Sequence, residues 1–197
     1  MGNMKQKYEI SKAEVNDFPL WSYEGKVVVV NDEKMIDAAV SNLSKAQRIG
    51  IDTETKPRFS KGKPNRTALL QLAIPGVVYL FRLNKIGLPH GLAQILEDPN
   101  ILKIGIATRD DKKELNRDFG CQPQNVLDLN QYVKTLGFIS IGARKLTALI
   151  LGKRISKSQQ TSNWEKDKLS HRQILYAATD AWICLEIYQT LQSKQMK

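Results

Sequence analysis

Asp52 and Glu54 sit two residues apart at the end of a short apolar run, Gln47-Arg48-Ile49-Gly50-Ile51, that reads as a buried strand. Residues i and i+2 of a strand point to one face, so both carboxylates project together from the strand's end. Asp111 lies in a second motif, Ile104-Gly105-Ile106-Ala107-Thr108-Arg109-Asp110-Asp111. A third holds Tyr176 and Asp180, four apart and so neighbours on one face of a helix that Ser170 and Gln173 start as a capping box. Carboxylates gathered in this way repel one another, and buried charge must be paired or bound to metal. A hard divalent cation resolves the repulsion. Oxygen ligands without accompanying histidine or cysteine favour magnesium or manganese over zinc. The two histidines, His90 and His171, lie outside these motifs. Such a set of groups is suited to phosphodiester hydrolysis with two metal ions.

The rest of the composition bounds the partner and the compartment. The chain has 197 residues, 42% of them apolar, which is enough for one ordinary domain with a core. Its net charge of +10 makes a polyanion the natural partner, although a generically basic, soluble surface would give the same number. Cys121 and Cys184 lack the spacing of a zinc site or disulfide framework and fit a reducing compartment. No stretch approaches the roughly 18 to 20 apolar residues of a membrane span, and the opening residues lack the apolar core of a signal peptide. A cytoplasmic protein is expected, or a nuclear one if the source has a nucleus.

Elements that could position the carboxylates follow from periodicity. Residues 1–24 read as a loosely packed, partly ordered arm ahead of a domain over 25–197. Strands are predicted at Val27 to Val30, Ile49 to Asp52, Ala68 to Ala73, Val77 to Phe81, Leu102 to Ile106 and Val126 to Leu129, with a hairpin turn at Pro75-Gly76. Helices are predicted after Asn31 or Asp32, near 90–97 and 111–119, through Leu136, from Ala143 to Leu151 and after Ser170. Together these elements make a single α/β domain with a mixed sheet flanked by helices. Thr55 to Asn65 is an exposed basic loop beside the first acidic pair.

The motifs, in order and in context, resemble the DEDDy branch of 3′-to-5′ exonucleases, which includes ribonuclease D, polymerase proofreading domains and the exonuclease domain of the Werner syndrome helicase. The similarity runs from about Ile49 to Leu191 and includes Ala68-Leu69-Leu70-Gln71-Leu72, Ser162-Asn163-Trp164 and Leu175-Tyr176-Ala177-Ala178-Thr179-Asp180. It implies a ribonuclease H-like fold. It selects Asp111 over Asp110, because a leucine, Leu115, follows four positions later. It further implies that Asp52, Glu54, Asp111 and Asp180 hold two Mg²⁺ or Mn²⁺ ions, and that Tyr176 and Glu54 orient the attacking water. The products would be nucleoside 5′-monophosphates cut from nucleic acid with a free 3′ end. DNA is favoured over RNA on the Werner-type likeness alone. The alternative is a non-catalytic nucleic-acid-binding module of the same fold.

Substrate contacts are harder to read. Thr53, Lys56, Arg109, Lys112 and Trp164 are candidates, joined by Arg58, Lys61, Lys63, Arg66 and Lys113 as phosphate contacts near the motifs. Trp164 could either stack on a base or pin its loop to the core.

Overall fold

The computed structural model describes residues 8–58 and 64–195. Lys61 and Lys63 of the basic loop lie outside the described residues. The chain runs α1 (Lys12–Asp17), β1 (Lys26–Val30), a 3₁₀ turn (Glu33–Met35), α2 (Ile36–Leu43), β2 (Arg48–Thr55), β3 (Thr67–Ile74), β4 (Val77–Phe81) and α3 (Leu83–Ile86). It continues through α4 (His90–Glu97), β5 (Leu102–Gly105), α5 (Arg109–Phe119), β6 (Val126–Asp128), α6 (Leu129–Thr135), α7 (Ala143–Leu146), a π turn (Thr147–Leu151) and the long α8 (His171–Gln195). No helix among the described residues is long and apolar enough to cross a membrane.

The six strands form one sheet in the order β1-β4-β3-β2-β5-β6. β3 is antiparallel to both neighbours, and the other adjacent pairs are parallel. Pro75 and Gly76 make the β3–β4 turn, with Gly76 at φ 83°, a left-handed conformation that glycine adopts without strain. Two apolar clusters cover the two faces. On one face Leu69, Ala73 and Leu80 pack with Ala177, Ala178, Ala181 and Leu185 of α8. On the other, Ile49, Ile51, Leu70 and Leu72 pack with residues from α2, α4 and α5.

This burial assigns the faces of β2. Its even-numbered residues Gly50, Asp52 and Glu54 pair across β3 with Ala73, Gln71 and Leu69, and so lie on the α8 side. Gly50 allows the close approach of α8: a Cβ there would fall 2.1 Å from the Ala181 carbonyl oxygen, nearer than any real contact. Ser170 and Gln173 form the expected capping box, with Gln173 N–H donating to Ser170 Oγ at 3.3 Å and Ser170 N–H to Gln173 Oε1 at 3.0 Å.

The described part of the arm crosses the domain rather than leaving it. Tyr8 stacks on Phe138, Ile10 N–H donates to Ser140 Oγ, Leu20 bridges to Arg154, and Tyr23 N–H donates to Thr179 Oγ1. Ile10 and Val15 form a small core of their own with Ala148.

Candidate active site

Three elements deliver acids to the end of the sheet. β2 brings Asp52 and Glu54, and α8, drawn against β2 over Gly50, brings Asp180 down onto them. One ligand oxygen from each of Asp52, Glu54 and Asp180 lies within 4.8 Å of the others. All three are half-buried and line a cavity of about 340 Å³ together with Thr53, Tyr176 and Lys157.

Asp111, from the third element, arrives differently. Its helix packs on the opposite face of β2, where Thr53 and Thr55 point, and Thr53 Oγ1–H donates to Asp111 Oδ1 at 2.5 Å. Thr55 Oγ1–H likewise donates to Glu114 on the next turn of α5, at 2.9 Å. Asp111 therefore stands beside the cluster while the other three acids close together. Asp110 points outward and pairs with Lys113 at 3.6 Å.

The electrostatics match those of a cation site. Burial, then Asp180, Asp111 and Glu54, hold the Asp52 carboxyl well above the usual carboxylate range. Burial, then Asp180 and Asp111, push Glu54 up to about 9, opposed by the indole N–H of Trp164. Burial raises Asp180 to about 7, against the Tyr176 hydroxyl and the Lys157 ammonium that favour its charge. Asp111 rises to about 6, first by burial, with Thr53 opposing and Glu114, Asp110 and Asp128 adding to it. The three clustered acids line an open cavity, so water moderates these shifts, but each acid is crowded and desolvated in the same direction. Tyr176 is raised by burial and by Asp180 and Glu54, and so stays protonated. The all-oxygen donor set and the mutual repulsion both fit a hard divalent cation, which would relieve the repulsion.

Packing around the cluster fixes Tyr176. Trp164 is fully buried, with its ring centroid 6.0 Å from that of Tyr176, so its faces are taken up by protein and closed to a base. Trp164 Nε1–H has no partner within ordinary hydrogen-bond limits, although it lies close enough to Glu54 to favour that group's charge. The loop carrying Trp164 is clamped from β4 and α3: buried Arg82 donates to the carbonyls of Lys166 and Asp167, and Lys85 pairs with Asp167 at 2.6 Å. Lys56 is engaged in the same clamp, paired with Glu165 at 3.1 Å. Arg66 donates to the Asp118 carbonyl and lies over the Phe119 ring. Arg109 and Lys112 lie on α5 and are not among the residues that line the cavity.

Two further groups at the site lie outside the sequence motifs. Asp128, at the end of β6, accepts from Ala107 N–H at 3.2 Å, Thr108 N–H at 3.1 Å and Asn130 N–H at 2.8 Å. It thereby holds the turn that starts α5, in which Ala107 takes φ 62°. Its place just before a helix, as Asp-Leu-Asn, is the N-cap signal that could have found it. Lys157 and Arg144 also line the cavity. Nothing in the sequence distinguishes these two cations from the other basic residues.

A ribonuclease H-like sheet with acids at the end of its central strand and a tyrosine and aspartate on the covering helix defines a nuclease-type α/β domain. The family model described as 3′-5′ exonuclease matches residues 27–195, and the chain belongs to that family of nucleic-acid nucleases. The chain is 32% identical over 200 residues to the bifunctional 3′-5′ exonuclease/ATP-dependent helicase WRN of Mus musculus, covering 95% of this chain and 14% of that protein. It is 27% identical over 206 residues to a 3′-5′ exonuclease of Arabidopsis thaliana, covering 95% of this chain and 70% of that one. The Aedes aegypti Nibbler EXO domain has the same fold, with a TM-score of 0.82 at 24% identity over 89% of this chain and 93% of that chain. Escherichia coli RNase D, an exoribonuclease, aligns with a TM-score of 0.76 at 25% identity over 85% of this chain and 44% of its own.

Proposed function

We propose that this chain hydrolyses the terminal phosphodiester at the 3′ end of a nucleic acid strand and releases nucleoside 5′-monophosphates, with two Mg²⁺ or Mn²⁺ ions. The observation that carries the reading is the convergence of Asp52, Glu54 and Asp180 to within 4.8 Å beside Tyr176. Asp52, Glu54 and Asp180 would hold one ion, and Asp52 with Asp111 the other. Bound there, divalent ions lower the pKa of water and stabilise charge on the attacking and departing oxygens. The protonated Tyr176 hydroxyl, fixed by Trp164, orients the attacking water by hydrogen bonding, and Glu54 accepts its other hydrogen. Thr53 keeps Asp111 aimed at the cluster through its hydroxyl. Arg144 and Lys157, which line the same cavity, would contact the phosphates of the strand.

The test is gel-resolved digestion of 5′-labelled DNA and matched RNA in Mg²⁺, Mn²⁺ and EDTA, alongside Asp52→Ala. A metal-dependent ladder shortening from the 3′ end, lost in the variant, is expected. DNA is expected to be the better substrate, on the Werner-type resemblance. A ladder that survives Asp52→Ala would overturn the assignment.

A further inference from the structure

The cavity does not end at the carboxylates. A second groove of about 190 Å³ shares Gly142, Ala143, Arg144 and Lys157 with it and runs on to Lys145 and to Lys12 at the start of α1. We propose that this groove is the track for the phosphates upstream of the scissile bond, and that the N-terminal arm forms one of its walls. The proposal rests on the nuclease reading above and extends it to how a single strand is held.

Four cations from three distant segments converge here: Lys12 on the arm, Arg144 and Lys145 on α7, and Lys157 on the loop ahead of α8. Among the described residues none of the four is in an ion pair, whereas Lys56, Lys85, Lys113 and Arg117 all are. Lys157 is partly balanced by Asp180, but Lys12, Arg144 and Lys145 gather beside it without an ion-pair partner among the described residues, and a polyanion relieves the repulsion of such like charges. Arg144 is held in place by the arm, its Nη2–H donating to Asn16 Oδ1 at 2.7 Å, while its buried Nε–H has no partner. The arm is itself fastened beside the groove, by Ile10 N–H on Ser140 Oγ and by the packing of Val15. Ile141, 37% exposed, adds apolar surface at the groove for a sugar or base edge. The groove offers no pattern of base-reading groups, so contact with a flexible single strand through its phosphates is the recognition it suits.

Binding in EDTA separates this track from catalysis. Fluorescence anisotropy would follow a 5′-labelled 12-nucleotide DNA and a 3-nucleotide DNA across a KCl series, for wild type and for Lys12→Gln/Lys145→Gln. Two lost phosphate contacts on a single strand should lower the slope of log K against log[KCl] by about 1.4. We expect the 12-mer to bind about tenfold more weakly near 0.1 M salt and the 3-mer to change far less, with an unchanged melting temperature. An unaltered salt slope, an equal loss for both lengths, or no binding by wild type at low salt would overturn the track. Failure of the nuclease reading shows separately, as binding without a metal-dependent ladder.

Discussion

Replacing Asp180 by asparagine should stabilise the metal-free protein at alkaline pH while abolishing its response to metal. Asp180 rises from 3.8 to about 7, chiefly by burial. At about 1.4 kcal/mol per unit this shift corresponds to about 4 kcal/mol, which water in the open cavity reduces to about 2 kcal/mol. A carboxyl whose pKa is raised by folding contributes its full stability below the unfolded value and loses it as pH climbs through the folded value. The loss therefore runs from about pH 4 to about pH 7 and is complete at pH 8. The substituted amide resembles the protonated acid and removes that loss. In EDTA at pH 8 the variant should melt about 4 to 8 °C above wild type, taking about 2 to 4 °C per kcal/mol for a chain of this size. At pH 5 the gap should shrink to less than half. Adding Mn²⁺ should raise the wild-type midpoint and leave the variant's nearly unmoved. Thermal melts by circular dichroism over this pH series decide the matter: a variant less stable than wild type at pH 8 in EDTA, or a gap independent of pH, would refute the electrostatic account.

Gly50→Ala should cost about 3 kcal/mol in urea unfolding, because its Cβ meets the Ala181 carbonyl and pushes α8 from β2; if stability and turnover are unchanged, α8 is not held at that contact. Asp128→Ala leaves two N–H groups at the α5 start and one in the first turn of α6 without their acceptor. It should cost about 2 kcal/mol and lower kcat at least tenfold by loosening Asp111, and unaltered steady-state kinetics would remove Asp128 from the positioning of the site.

Much of this was legible because the chemistry follows short-range periodicity. Asp52 and Glu54 share a face by strand alternation, Tyr176 and Asp180 by helical spacing, and Ser170 with Gln173 marks where that helix begins. The six strands were marked by short apolar runs, β-branched at Val27 to Val30 and with turn residues at Pro75-Gly76 between β3 and β4. What was not legible depends on long-range packing. Trp164 reads as a polar-loop aromatic in sequence, and only the clamp from Arg82 and Lys85 buries it against Tyr176. Thr53 is legible as a residue beside the site, whose cavity it lines, but its hydrogen bond to Asp111 is not, because that depends on α5 packing against β2. The basic residues of the 55–65 loop stood out by local density. The convergent set at Lys12, Arg144, Lys145 and Lys157 is scattered along the chain and is brought together by the docking of the arm.

The most direct test of the central claim is a Mn²⁺ titration followed by electron paramagnetic resonance, run on wild type, Asp52→Ala and Tyr176→Phe, with turnover measured on the same samples. If the acids hold the ions and Tyr176 orients water, wild type and Tyr176→Phe bind Mn²⁺ alike, Asp52→Ala binds far less, and Tyr176→Phe loses about 10²-fold in kcat. Mn²⁺ binding that is undiminished by Asp52→Ala would contradict the account.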